Sequence, residues 1–462
     1  MLVDFIHSIK MHLNTVQISK IIYIYSKNLH DARFPPHVQT MCAKLLLNLV
    51  ENIVQQSSKQ EVRFLLMRIV DSFAHRLKAL GEILVCLKKS MEAGPSIQKK
   101  QSMNYFLDLG LVQPIHTSLK ISDAELWKDL QVQFKTTLLA LKTSVYNLKQ
   151  CGITGSDYSE THISTTFLDE MEMFDGIFRN GVICLVQSIS PGEASDPANS
   201  NEGVSSDGTS ISSPLFQIGS TISRPDKEML EVFGSIFTFL EPHIFQEVMS
   251  RNNVEFLFQS AMLNPHMKLL SQYFLANPTV SGGLASLMLT FLVERLSELG
   301  GSCHSTSAMV FQHFKLVFMA VMLFPEVNEP VLRPHLANII MSSLKLATQT
   351  EDPINFFLLL RALFRNIGGG RFESLYQEVF PLLHVLLETL NALMEAAHTK
   401  AIRELFVELC LTVPVRLSVL LPHLSFLMKP IVIALQAGTE LVSQSLRTLE
   451  LCVDNLNHVF YI

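Results

Sequence analysis

Apolar residues recur along this chain at intervals of three and four, which is the period of a helix with one buried face. The stretch PINFFLLLRALFRNIGGG places Phe356, Leu359, Leu360, Leu363 and Ile367 on one such face. It predicts a helix end at Gly368, Gly369 and Gly370, because glycine accepts the left-handed conformation that closes many helices. AIRELFVELCLTVP repeats the design with Ile402, Leu405, Phe406 and Leu409, and Pro414 limits how far that helix can run. LVSQSLRTLELCVDNL sets Val442, Leu446, Leu449, Val453 and Leu456 on one face, with Arg447 and Glu450 on another. A lone helix cannot bury its own stripe, so the pattern predicts an all-α chain of helices stacked on one another.

The same pattern runs through the earlier residues. Met1–Lys89 reads as helical hairpins: VQTMCAKLLLNLVENIV carries Met41, Leu45, Leu49 and Ile53 after a turn at Pro35 and Pro36. The longer EVRFLLMRIVDSFAHRLKALGEILVCLKK carries Leu65, Ile69, Phe73, Leu77 and Leu80. A short linker is expected at 90–100, around Gly94 and Pro95. Ser122 with Glu125 forms a capping box for a helix that runs to Gln150 and stops at Gly152. Its stripe is Leu126, Leu130, Phe134, Leu138, Leu141, Val145 and Leu148, with Trp127 packed beside it. A less regular helix pair is expected over Thr166–Ile189.

Ser190–Ser213 breaks the pattern, being rich in Ser, Gly, Asn, Asp and Pro with almost nothing apolar. Such a segment cannot bury enough surface to offset its ordering entropy. The reading is therefore an N-terminal helical block over 1–189, a disordered low-complexity insertion over 190–225 and a second block over 226–462. Helices in the second block are expected at Asp226–Leu240, Pro265–Ala276, Leu284–Leu299, Ser307–Leu323 and Val331–Ala347. The dipeptide Pro-His recurs at Pro242, Pro265, Pro334 and Pro422, and FPLLHVLL puts Pro381 at a similar place. The intervals of 47 residues (334 to 381) and 41 residues (381 to 422) fall within the roughly 40–47 of a HEAT or armadillo unit. Each proline is expected in the first turn of a helix, where a missing N–H costs nothing.

Composition sharpens this picture and then narrows the chemistry. Hydrophobic residues make up 48% and charged residues 17%, the latter well below the roughly 25% of ordinary soluble domains, so faces are broad and buried. The longest apolar runs, Val280–Val293 and Val413–Leu435, stop at or carry charges and prolines, and are not expected to span a membrane. Asp4, His7 and Lys10 interrupt the first turns, which argues against a signal peptide. A net charge of −6 gives no global basic field, so direct nucleic-acid binding is not expected, and the doublets Lys88–Lys89 and Lys99–Lys100 read as solvated positions.

The seven cysteines, Cys42, Cys86, Cys151, Cys184, Cys303, Cys410 and Cys452, are scattered without a CxxC and read as buried reduced thiols. No phosphate-binding loop, nucleophile elbow, HExxH or calcium loop occurs. No catalytic, cofactor-binding or metal residue is assigned; the chain reads as a non-enzyme without cofactors. His335 and His423, each one residue after a proline, read as solvent-facing or backbone-bonded and distant from each other. Arg361 and Arg365, one turn apart, could form an anion-binding ridge, but are expected to pair with Glu404 and Glu408 of the next helix.

Several strings are longer than any motif. NFFLLLRALFRNIGGG, ELFVELCLTVPVRLSVLLPHL and LVSQSLRTLELCVDNL, with FLANPT at Phe274, FKLVF at Phe314, LRPHL at Leu332 and VQTMCAKLLLNLVENI at Val38, resemble the HEAT region of the TRRAP family. That family comprises transformation/transcription domain-associated proteins, pseudokinase relatives of the phosphatidylinositol 3-kinase-related kinases. The resemblance is dense over Asp226–Leu456, recognisable over Lys27–Ile53 and weak between Ser90 and Pro225. It implies a HEAT/armadillo-like α-solenoid of stacked hairpins, used as a non-catalytic scaffold. It also implies nuclear histone acetyltransferase complexes whose subunits, together with transcription activators, are the protein partners. The family's FAT, kinase-like and FATC segments have no counterpart here, and the chain stops at NHVFYI, so it reads as a fragment truncated at its C-terminus.

A HEAT-type nuclear transport adaptor of the importin kind would use the same architecture, but should carry a strongly acidic inner surface, against which the modest −6 argues. Limited proteolysis is expected to cut first within Ser190–Ser213, with both flanking blocks surviving; first cuts inside the helical stretches, mapped by mass spectrometry, would contradict the assignment.

Overall fold

The stripes fold as helices and nothing else among the described residues. The structure, a computed structural model, describes residues 13–56, 58–92, 123–150, 163–190, 222–368, 372–413, 421–437 and 439–459. These fall into two compact units, one reaching Phe274 and the other beginning at Leu275.

The first unit contains α1 (Thr15–His30), α2 (Pro36–Gln56), α3 (Lys59–Glu92), α4 (Asp123–Gln150), α5 (Ile163–Ser188), α6 (Arg224–Thr238), α7 (Pro242–Ser250), α8 (Asn253–Leu263) and α9 (Lys268–Leu275). Helices two apart in sequence pack side by side, α1 on α3 and α3 on α5 in one row, α2 on α4 and α4 on α6 in the other. Contacts of α1 with α2 and of α3 with α2 and α4 tie the rows together. Local chemistry starts these helices. Asn14 Oδ1 accepts from the Gln17 amide at 2.9 Å while Gln17 Oε1 accepts from the Asn14 amide at 3.0 Å, a reciprocal cap on α1. Ser223 caps α6, with Pro225 in its first turn.

The α3 stripe of Leu65, Ile69, Phe73, Leu77 and Leu80 is fully buried. From α5 onward the core is aromatic: Phe178, Phe233, Phe237, Phe274 and Phe245 form a chain of ring contacts with centroids 5.2–6.3 Å apart. Gly181 lets α5 approach that chain, because a Cβ there would strike the Phe233 ring.

The second unit contains α10 (Ser281–Glu294), α11 (His304–Leu323), α12 (Pro325–Ala347), α13 (Ile354–Ile367), α14 (Glu373–Val379), α15 (Leu383–Ala396), α16 (Lys400–Leu411), α17 (Leu424–Leu435) and α18 (Thr439–Val459). Two rows recur. The pairs α10–α12, α12–α14 and α15–α17 make one, and α11–α13, α13–α16 and α16–α18 make the other. The fold is thus the expected all-α HEAT-type stack within each unit.

Several expectations need correction. Thr166–Ile189 is one helix, α5, because its apolar positions run without a break. Helices α7 and α8 were not anticipated: they are short, and Asn252 between them takes the left-handed conformation, with φ 64°, that turns the chain sharply. Prolines open α7 at Pro242, and Pro265, Pro381 and Pro422 lie in 3-10 turns that lead into α9, α15 and α17. Pro334 does not open a helix; it lies with Pro330 inside α12, which starts earlier, at Pro325.

The α13 helix ends at Gly368 in extended backbone, φ −67° and ψ 167°, with its amide donating to Phe364 O at 2.8 Å, and not in the left-handed conformation. Met41 is 49% exposed, and on α18 Leu446 and Val453 are 51% and 48% exposed, so those stripe positions do not face a described neighbour. In α18 it is Ser445 that turns inward, with its hydroxyl satisfied by Val442 O at 2.9 Å. By length and composition α11 and the Glu373–Ala396 segment could cross a membrane, which the sequence reading passed over. In the structure α11 buries Val310, Phe314, Val317 and Phe318 against its neighbours, and the second segment is broken by the turn at Phe380–Leu382. The expected Ser90–Lys100 linker (past Glu92), Ser122 cap, Gly152 stop, Ser190–Ser213 insertion (past Ser190), Gly369, Gly370 and Pro414 fall outside the described residues.

Leu363 on α13 has no exposed surface and α13 touches α11, α12 and α16. Leu363→Ala is expected to cost about 2–5 kcal/mol by the cavity rule, read by urea denaturation, while a change at exposed Gln436 should stay within about 0.5 kcal/mol.

Candidate interaction surface

Several polar side chains in the second unit join one helix to another. Buried Asn328 on α12 donates to Ala320 O at 2.8 Å and to Ser281 Oγ at 3.0 Å, joining α10, α11 and α12. Asn355 on α13 donates to Ser307 Oγ on α11 at 2.9 Å and to Leu299 O at 3.0 Å. Asn391 on α15 donates to Leu387 O within its own helix and Phe426 O on α17, both at 2.9 Å. Each amide nitrogen meets an acceptor on a neighbouring helix or turn and so ties the two together, although the buried Oδ1 of Asn328 has no partner among the described residues.

The arginine pair follows the same logic. Arg361 Nε lies 2.9 Å from Glu408 Oε2 and Arg365 Nε lies 2.6 Å from Glu408 Oε1, so one carboxylate on α16 holds both guanidinium groups of α13. Glu408 is 7% exposed; the arginines are about a third exposed. Glu404, expected in this cluster, sits one turn away and faces Lys400 at 3.7 Å within its own helix. With both arginines occupied by Glu408, the ridge is a tie between helices and leaves little capacity for an outside anion.

A further internal tie lies in the first unit, and the sequence reading missed it. Arg76 on α3 is buried and donates to Gln39 Oε1 on α2 and Gln133 Oε1 on α4, both at 2.7 Å. Burial pulls its guanidinium down to about 10 from the usual arginine range. An arginine directly before a stripe leucine carries no sequence signal of burial; only the opposing glutamines, distant in the chain, reveal it. Lys88 reaches Gln187 O at 3.4 Å, and Trp127 is half-buried beside the α4 stripe.

The histidines behave differently from expectation in one respect. His335 is half-buried on α12, and His423 meets His384, the histidine displaced from its proline, with ring centroids 5.8 Å apart. Among the described residues no group of three or more His, Cys, Asp or Glu converges as a metal site. An open hollow of about 500 Å³ is lined by Pro325, Glu326, Glu329, Pro330, Arg333, Glu373 and Ser374. Its polar groups are largely engaged: Ser374 donates to Glu329, and Arg333 Nε lies 3.0 Å from Glu378.

Cys42, Cys184 and Cys410 are buried as expected, and burial pushes the Cys410 thiol up to about 12 and raises that of Cys184 further. Cys86 is only half-buried, and Cys303 departs furthest from the expectation: it is exposed before α11, and contacts from the Ser305 and Thr306 hydroxyls, each at 3.2 Å, hold its thiol down at about 7.

Among the described residues the picture is one of helix ties and open helix faces, and comparison with known proteins gives the family. All of residues 1–462 match the family described as Tra1 HEAT repeat central region. The chain belongs to the Tra1 family. Among Tra1-family relatives, the Schizosaccharomyces pombe "SAGA complex/NuA4 acetyltransferase complex subunit Tra1" is 34% identical over 100% of this chain and 13% of its own length. The Drosophila melanogaster "Transcription-associated protein 1" is 36% identical, covering 99% of this chain and 12% of its own. The Homo sapiens "Transformation/transcription domain-associated protein" is 33% identical, covering 99% and 12% respectively. The chain thus spans about an eighth of these Tra1-family proteins, which upholds the resemblance read from the strings and extends it over the whole chain.

Two outcomes test the site chemistry. Glu408→Ala strands two partly exposed arginines, and is expected to lower stability by about 1–3 kcal/mol in urea denaturation, with solvent screening keeping it toward the lower end. Glu404→Ala should change stability by less than about 0.5 kcal/mol. Alkylation of the folded chain by iodoacetamide is expected first at Cys303, rising with pH through a midpoint near 7, while Cys184 and Cys410 stay unlabelled. Peptide mapping across a pH series reads it, and Thr306→Val should move the midpoint upward.

Proposed function

We propose that this chain is a non-catalytic scaffold segment of a transcription coactivator subunit of histone acetyltransferase complexes, working in the nucleus. Its surfaces are offered to complex subunits and to transcription activators. The observation that carries the reading is the family match over residues 1–462, joined to relatives whose names place them in acetyltransferase complexes. The physical features are consistent with it: Asn328, Arg76 and Glu408 join helices, and what remains outside is broad helix surface. Protein partners fit such a surface; neither nucleic acid nor a membrane is proposed as a direct ligand, and no cofactor is called for.

Affinity purification of the full-length gene product followed by mass spectrometry tests this. Acetyltransferase subunits in stoichiometric amounts are the expected result. Recovery of a small GTPase with cargo proteins, and no acetyltransferase subunits, would replace the reading with the transport-adaptor one.

A further inference from the structure

We infer that the outer face of α4 is a docking ridge for an acidic amphipathic helix of a partner protein. The ridge is built from two interleaved heptad series. Lys128, Lys135, Lys142 and Lys149 follow one another at intervals of seven. Val132, Leu139 and Tyr146 do the same, each four residues beyond a lysine. At helical spacing both series fall on one arc, about 30 Å long from first lysine to last. The opposite arc carries the buried Leu130, Phe134, Leu138, Leu141 and Val145. Val132 is 53%, Leu139 37% and Tyr146 43% exposed, so three sizeable apolar groups stand in solvent along a line of cations.

An ordinary solvated helix face mixes acids with lysines. Here the carboxylates of α4, Asp123, Glu125 and Asp129, all precede residue 130, and none follows to Gln150. Among the described residues only Lys135 of the four has an ion-pair partner, Glu228 of α6 at 3.1 Å on the edge of the ridge. At the far end Tyr146 stacks edge-on against Phe239, 5.2 Å between centroids, with the Lys149 ammonium 6.0 Å over that ring, which widens the apolar pad. In a chain of net charge −6 this is a local reversal of sign.

The occupant follows from complementarity. An apolar seam of period seven flanked by lysine asks for a helix with apolar residues at the same period and Asp or Glu on both sides, the arrangement by which coiled-coil seams and flanking charges choose partners. The lysine stems cover the sides of the seam while their ammonium groups steer the acidic partner in. A phosphate backbone would use the lysines and leave the apolar groups unpaid, and a vesicle surface would find three apolar side chains too few to insert.

This deepens the scaffold reading and rests on it for the presence of protein partners. The test uses the full-length protein and a fluorescent helical peptide of about 20 residues, with leucine in a heptad seam and glutamate beside it, followed by anisotropy. Saturable binding is expected that weakens steeply with salt and is lost for a scrambled peptide of the same composition. Lys128→Glu with Lys142→Glu should weaken it by roughly tenfold or more. Lys128→Arg with Lys142→Arg should keep it within about twofold, and Val132→Ser with Leu139→Ser should weaken it although every charge remains. All four substituted positions lie on the outer arc, so unchanged thermal unfolding verifies that the variants fold.

Absence of saturable binding, indifference to the charge reversal, or tighter binding of a duplex DNA or phosphatidylserine vesicles through the same lysines would overturn the ridge as a helix dock. Co-purification separates the two readings. Acetyltransferase subunits retained by the Lys128→Glu, Lys142→Glu protein together with lost peptide binding supports both. Their retention with peptide binding unaltered overturns the ridge alone, and their absence from the unmodified protein overturns the scaffold.

Discussion

No helix of this chain can keep its own apolar stripe dry, and every other property of the structure follows from that. α3, with five stripe residues fully buried, needs α1, α2, α4 and α5 at once to exclude water from it. Stability in such a stack is a property of interfaces more than of helices, so it is shared between neighbours and lost between neighbours. The polar ties obey the same demand. Asn328, Asn355, Arg76 and Glu408 bind side chains or carbonyls of adjacent helices, fixing the register of apolar faces that would otherwise slide.

This division of labour explains where functional surface can exist. Inward positions are committed to packing and to cross-ties, and in the described residues the reactive groups are dispersed along the stack. What is left is the outward arc of each helix, long, regular and free to vary without disturbing the core. On α4 that arc carries lysines and no carboxylate beyond Asp129, and period seven is imprinted on both its cations and its apolar groups.

The stripes were legible because burial in a helix writes a period directly into the sequence. Phe356, Leu359, Leu360, Leu363 and Ile367 carry that period and are all fully buried. Failures came where periodicity holds but a neighbour does not. Leu446 and Val453 have the right spacing and remain exposed, because a stripe states what can be buried and not what stands opposite. Arg76 failed in the converse way: a charged side chain between two glutamines that are remote in sequence gives no local sign of its burial. Pro334 shows a third limit, since the same dipeptide that leads into α7, α9 and α17 sits mid-helix in α12. Gly368 shows a fourth, because a glycine run marks an end without stating which conformation makes it.

Those two prolines give α12 a mechanical character of its own. Pro330 and Pro334 each lack the amide that would bond one turn back, so the carbonyls of Glu326 and Pro330 go without their usual helical donors on consecutive turns. A rod is stiff in proportion to its axial bonds, and α12 is short of two of them in its first half, beside the open hollow. Bending there strains fewer hydrogen bonds than bending anywhere along α11 or α13, whose interiors hold no proline. Within α12 it is therefore the first half, and not the proline-free second half, where bending strains the fewest hydrogen bonds.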